Sequence, residues 1–127
     1  MTYKVLIVDD SKLARMAVVK VLRTLRPDWI RQEASNADEA LLLLKAETPD
    51  FMLLDYNMPG KDGLTLATEV GQMYPQINVA VISANRQLEV VQRAHAAKAA
   101  FLPKPLTEQA LQEFLDAAVN RRREGSQ

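Results

Sequence analysis

Lys4-Val5-Leu6-Ile7-Val8-Asp9-Asp10-Ser11 is an apolar run that ends abruptly in two carboxylates and a hydroxyl. Four successive β-branched or leucine residues, with no polar alternation, read as a strand covered on both faces. Ser11 suits a helix cap. Behind it Leu13, Ala17, Val21 and Leu25 recur at every fourth position, which predicts a helix with that row as its apolar face, stopped by Pro27.

The same strand-then-helix unit recurs along the chain. Ile30 to Ala34 is a polar strand, and Asn36 and Glu39 stand at capping-box spacing before Ala40 to Leu44. Phe51 to Leu54 is a second buried strand ending in Asp55. The loop Tyr56-Asn57-Met58-Pro59-Gly60-Lys61-Asp62-Gly63 is dense in turn residues and leads into a helix over Leu64 to Met73. Asn78 to Ser83 is a fourth strand, Arg86 to about Ala97 a fourth helix, and Ala100 to Leu102 a short fifth strand. Thr107 caps a last helix with Leu111, Phe114, Leu115 and Ala118 along one face, and Leu106 and Leu111 have staple spacing. Strict alternation implies right-handed crossovers. The fold expected is α/β and doubly wound, a five-stranded parallel sheet with helices on both faces. Such sheets place their sites outside the carboxyl ends of the strands, where strand order reverses. Asp9, Asp10, Asp55, Ser83 and Lys104 all fall at or just past predicted strand ends.

Crowded carboxylates at the end of an apolar strand resist ionising unless something uses their charge. A hard divalent cation relieves that cost; Mg2+ is held by one or two carboxylates, waters and a phosphoryl group. A nearby lysine suits phosphoryl oxygens. Together these residues point to phosphoryl chemistry on a carboxylate. Taken singly, Asp9 and Asp10 also suit a helix N-terminus, Ser83 suits a cap, and Lys104 suits an exposed loop.

Composition narrows the field. The chain has 127 residues, which fits one domain over 1–122 with a flexible tail at 123–127. It has no cysteine, so thiolate metal sites and thiol redox chemistry are excluded. Its formal net charge of zero argues against a nucleic-acid-binding module; Arg121-Arg122-Arg123 reads as a solvated last helical turn, with a basic docking tail or the start of a linker as the alternative. Met1-Thr2-Tyr3-Lys4 contains no signal-peptide core, and no apolar stretch is long enough to span a bilayer. A cytoplasmic protein without membrane contact is the expectation. Of the remaining residues, His95 reads as a partly buried helix position and Trp29 as a packing residue. Leu88, Val90 and Val91 are apolar positions of the fourth helix, two of them core candidates.

Val8-Asp9-Asp10-Ser11, Asp55-Tyr56-Asn57-Met58-Pro59-Gly60 with Asp62-Gly63, Val81-Ile82-Ser83-Ala84 and Phe101-Leu102-Pro103-Lys104-Pro105, in this order across nearly the whole chain, resemble the receiver domain of a two-component response regulator. The resemblance is to the CheY-like single-domain type and its flavodoxin-like (βα)5 fold. It implies that Asp55 is the phosphoacceptor, taking its phosphoryl group from a phosphohistidine of a sensor histidine kinase or a phosphotransfer protein. It implies Mg2+ bound by Asp9, Asp10, Asp55 and the backbone carbonyl of Asn57, with Lys104 on a phosphoryl oxygen and a cis bond before Pro105. Ser83 and Phe101 would form the switch that alters the surface of helix 4, strand 5 and helix 5 for a downstream protein, in chemotaxis or another phosphorelay. Asn57 and Asn85, both neutral amides, would tune dephosphorylation and cannot act as general bases. The resemblance implies a switch protein rather than an enzyme, monomeric or dimerising on phosphorylation.

Two departures from the usual family pattern carry expectations. Ser83 replaces the commoner threonine and lacks its methyl, which predicts a less constrained Phe101 ring. Ala97-Lys98 replaces a common glycine-alanine pair, which predicts a longer fourth helix or an altered loop. Three other functions compete. A haloacid-dehalogenase-like phosphatase needs Asp-x-Asp after its first strand, whereas Asp55-Tyr56-Asn57 follows the third and lacks the second acid. A flavin carrier needs a phosphate loop where Asp9-Asp10 would repel phosphate. A degenerate receiver that only dimerises would have no need of the intact acids and lysine.

Overall fold

The computed structural model describes residues 2–125, with side chains through Arg121. Its elements alternate as expected: β1 (Lys4–Val8), α1 (Lys12–Leu25), β2 (Ile30–Ala34), α2 (Ala37–Ala46), β3 (Phe51–Asp55), α3 (Gly63–Met73), β4 (Asn78–Ser83), α4 (Leu88–Ala96), β5 (Ala100–Pro103) and α5 (Glu108–Gly125). The strands form one parallel sheet in the order β2-β1-β3-β4-β5. The chain therefore winds outward from β1 to β2, then crosses back over β1 to β3, and order reverses between β1 and β3. Register pairs Val8 with Leu54, and Ser83 with Pro103, so the carboxyl ends of the four strands β1, β3, β4 and β5 align along one edge.

Two apolar layers flank the sheet. On one side Leu6, Val8, Met52, Leu54, Val79 and Val81 meet the buried faces of α2, α3 and α4. On the other, Val5, Ile7, Phe51, Leu53, Ala80 and Ile82 meet α1 and α5. Neighbouring residues on a strand point to opposite layers, which is why these strands read as unbroken apolar runs.

Helix starts follow the local chemistry. Ser11 Oγ accepts the Ala14 N–H (3.2 Å), Asn36 Oδ1 the Glu39 N–H (2.8 Å), Asp62 Oδ1 the Thr65 N–H (2.8 Å) and Thr107 Oγ1 the Ala110 N–H (3.1 Å). The Asn36–Glu39 box is half formed, because the Glu39 carboxylate accepts from the Ser35 hydroxyl at 3.0 Å. Leu106 and Leu111 both pack on the α1–α5 layer.

Several expectations need correction. The buried face of α1 is Val18 and Leu22, while Leu13 is 78% exposed. A row of fourth residues advances about 40° per step around a helix of 3.6 residues per turn, so the row from Leu13 to Leu25 slides off the core stripe. Helix α4 starts at Leu88, two residues later than expected, and has no side-chain cap. Only Val90 of its three apolar candidates is buried; Leu88 is 70% exposed, and His95 is exposed rather than partly buried. The missing glycine does not lengthen α4. Lys98 itself takes φ 60°, with Ala99 N–H donating to Ala94 C=O and Lys98 N–H to His95 C=O, both at 2.9 Å, so the left-handed helix end forms without glycine. Helix α5 runs through Gly125, past the boundary placed at residue 122. The tail expected at 123–127 is thus helical backbone as far as residue 125; residues 126 and 127 lie outside the described ones. Trp29 is a packing residue as read, stacked on Phe51 at 5.0 Å between ring centres. No helix among the described residues is long and apolar enough to cross a membrane.

Candidate phosphoryl and metal site

Three strand ends supply the site. β1 ends at Val8 and hands over to Asp9, whose N–H donates to Ala34 C=O of β2 at 3.1 Å. β3 ends in Asp55 itself. Asp9 and Asp55 are each only 6% exposed, and Asp10 is exposed. One carboxylate oxygen from each of Asp9, Asp10 and Asp55 lies within 4.8 Å of the others. Beyond β5, Lys104 Nζ donates to Asp55 Oδ1 at 2.6 Å, and the Lys104 N–H donates to Ser83 C=O at 3.0 Å. The Lys104–Pro105 bond is cis, as the resemblance implied.

Electrostatics explains what these atoms need. Burial is the main cause that raises the Asp9 pKa above the usual aspartate value. The Ser11 N–H, donating to Asp9 Oδ1 at 2.9 Å, pulls it down, Asp55 and Asp10 push it up, and Lys104 opposes them. One lysine thus faces three carboxylates. Hard oxygen donors in excess negative charge fit Mg2+ or a similar hard cation, and Asp9, Asp10 and Asp55 are the residues that would hold it.

The loop after Asp55 is held close to it. Gly63 N–H donates to Tyr56 C=O at 3.0 Å, and a Cβ on Gly63 would lie 2.3 Å from the Asp55 carbonyl oxygen, so only glycine fits this approach. Its place in the Asp62-Gly63 pair signalled a turn, not this contact. Gly60 turns the loop at φ 82°, Met58 is buried in the α2–α4 layer, and Asn57 stays exposed.

Ser83 is buried at the end of β4, and its Oγ accepts the Asn85 N–H at 2.9 Å. Asn85 Oδ1 in turn accepts the N–H of Gln87, the cap residue of α4, at 3.0 Å. Phe101 is not part of the acidic cluster. It pairs in register with Val81, two residues before Ser83, and its half-buried ring packs on the α2–α4 layer. Sequence reading missed Arg15, whose Nη1 donates to the Asp9 carbonyl at 2.6 Å; nothing in its spacing distinguishes it from a solvated helix cation. It also missed an apolar groove of about 530 Å³ beside Asp9 and Lys104, lined by Ala14, Ala17, Val18, Val21, Pro105 and Leu106.

Comparison with known proteins bears on the family and the fold. Residues 5–116 match the family described as the response regulator receiver domain. The transcriptional regulatory protein PdtaR of Mycobacterium tuberculosis is 35% identical over 124 residues, covering 95% of this chain and 58% of its own length. The chemotaxis protein CheY of Bacillus subtilis is 29% identical over 121 residues, covering 94% of this chain and all of its own. The solved structure of Vibrio cholerae CheY4 superposes with a TM-score of 0.82 at 26% identity, covering 93% of this chain and 99% of that one. The chain thus spans little more than half the length of the PdtaR relative.

Proposed function

The chain belongs to the response regulator receiver domain family, and from that premise we propose that Asp55 accepts a phosphoryl group in a Mg2+-dependent reaction and that the modified domain signals to a protein partner. The observation that carries the proposal is the buried Asp55 carboxylate, paired with Lys104 and within 4.8 Å of the Asp9 and Asp10 oxygens.

The chemistry follows from these positions. Lys104 holds Asp55 Oδ1, which leaves the second oxygen as the nucleophile. An O–P bond forms from that oxygen in line with the P–N bond of a phosphohistidine; the P–N bond breaks and its electron pair stays on the imidazole, which takes up a proton. A bound Mg2+ supplies charge neutralisation for the phosphoryl oxygens and the three carboxylates. The carbonyl of Asn57 would add a ligand. Lys104 passes from the carboxylate to a phosphoryl oxygen. Ser83 already accepts from Asn85 and keeps its own O–H to donate to the new group.

The phosphodonor is a histidine kinase or a phosphotransfer protein. The apolar groove beside Asp9 and Lys104, with Leu13 and Met16 exposed on the adjoining helix, supports docking there. The output face is α4, β5 and α5, where Leu88 is exposed and Phe101 is half-buried. Ser83 and Phe101 act as the switch, a population shift toward the state that offers the phosphoryl group an extra hydrogen bond. Asn57 and Asn85 lack any base, so neither speeds hydrolysis of the acyl phosphate by general-base catalysis. We infer a cytoplasmic switch protein, monomeric or dimerising on phosphorylation, with no nucleic-acid contact of its own.

The test is intact-protein mass after incubation with acetyl phosphate and Mg2+. A single phosphoryl adduct is expected, absent from Asp55→Asn and from a chelated sample. An adduct that survives either control would move the acceptor or remove the metal from the reaction.

A further inference from the structure

The loop bearing the two acids is gripped by a side chain that phosphoryl transfer itself leaves unused. Arg15, in the first turn of α1, has a side chain only 15% exposed. Its Nη1 donates to the Asp9 carbonyl at 2.6 Å, and its Nε donates to Glu33 Oε1 on β2 at 3.0 Å. Its own N–H closes the first turn of α1 on Ser11 C=O at 3.0 Å. Asp9 is thus held at three atoms: its N–H by β2, its Oδ1 by Ser11 and its C=O by Arg15. The Asp9–Asp10 peptide is planar, so fixing its carbonyl fixes the plane from which Asp10 leaves. The forked, planar guanidinium reaches the carbonyl and the carboxylate through two different nitrogens. A cation so near a metal site would normally oppose the metal, and Glu33 offsets that charge.

We propose that Arg15 is a positioning residue for the cation site: anchored by Glu33, it sets the Asp9–Asp10 peptide so that both carboxylates serve one ion. The inference rests on the Mg2+-dependent reading above. Charge and geometry predict opposite signs when Arg15 is removed. Loss of a nearby positive charge would tighten Mg2+ binding. Loss of a group that orients metal ligands weakens it, by roughly ten- to a hundredfold in known sites.

The experiment titrates Mg2+ into the 15N-labelled full chain and follows the Asp10 and Ser11 amide signals, for the native chain, Arg15→Met and Arg15→Lys. Binding about tenfold weaker is expected in Arg15→Met, with a smaller loss in Arg15→Lys, which keeps the charge but not the forked guanidinium. Acetyl phosphate labelling of Arg15→Met should need more Mg2+ to reach half its maximum yet approach the native plateau. Equal or tighter Mg2+ binding by folded Arg15→Met, beside a native chain that binds, overturns the positioning role and leaves the phosphoacceptor reading standing. A native chain that binds no Mg2+ overturns both. If Arg15→Met fails to fold, Arg15→Lys decides: weakened binding supports the role, and native affinity overturns it.

Discussion

At the scale of single residues the site is a balance of unlike charges that the folded chain leaves tilted toward the negative. Asp9 shows it best. Burial raises its pKa, so the folded chain binds its proton more tightly than the unfolded chain does. The stability tied to that proton is fully present below the unfolded value and is lost as pH rises through the folded one. At neutral pH an ionised Asp9 is therefore a net cost. Asp9→Asn keeps an acceptor for the Ser11 N–H and removes the charge. Without divalent cations at pH 7 it should raise the urea midpoint, and the gain should fade as pH drops through the raised Asp9 value. Urea titrations at several pH values, read from Trp29 emission, check this; a gain that persists unchanged in acid would mean that charge is not its source. Asp9→Asn should also lose Mg2+ affinity, so the two effects separate structure from function at one atom.

At the scale of elements, caps and ends were largely local matters. Ser11, Asn36 and Thr107 cap the helices they were expected to cap, because a hydroxyl or amide oxygen needs only the N–H three residues on. The buried face of α1 was misread, since both Leu13 and Leu22 are leucines and only the neighbouring layer decides which is covered. Helix α4 ends without glycine, at a cost. An L-residue at φ 60° is disfavoured by about 1–2 kcal/mol, part of which glycine would give back as extra chain entropy in the unfolded state. The Lys98 side chain is exposed, so Lys98→Gly should stabilise the domain by roughly 0.5–1 kcal/mol in urea unfolding. A loss instead would show that the lysine makes a contact that matters.

At the scale of the molecule, the sheet separates stability from chemistry along its length. The acids and Lys104 stand at the carboxyl ends of the strands. Tyr3, Trp29, Phe51 and Phe114 cluster toward the amino ends of β1–β3, with Phe51 within 5.0–6.2 Å of each of the other three ring centres. Phe51 is fully buried. Phe51→Ala should cost about 3–5 kcal/mol by urea unfolding followed by circular dichroism. The variant should still take up a phosphoryl group under conditions where it is folded. A loss below 1 kcal/mol would mean that the neighbouring rings collapse into the space.

Much of this protein was legible in its sequence because the decisive signals were local. Unbroken apolar runs such as Val5 to Val8 report a strand buried on both faces, and their alternation with capped helices reports parallel crossovers. A strand that ends in Asp55, or just before Asp9 and Lys104, places each group at the same edge. What the sequence could not supply were distances between segments far apart in the chain. That β3 lies between β1 and β4, with β5 beyond β4, brings Asp55 within reach of Asp9 on one side and of Lys104, 49 positions further on, on the other. The same packing leaves Asp10 exposed while burying Asp9, presses Gly63 against the Asp55 carbonyl, and carries Arg15 to the Asp9 carbonyl. Periodicity is a property of neighbours and is written in the chain; which charges share a low-dielectric space depends on how five crossovers stack, and only the folded molecule decides that.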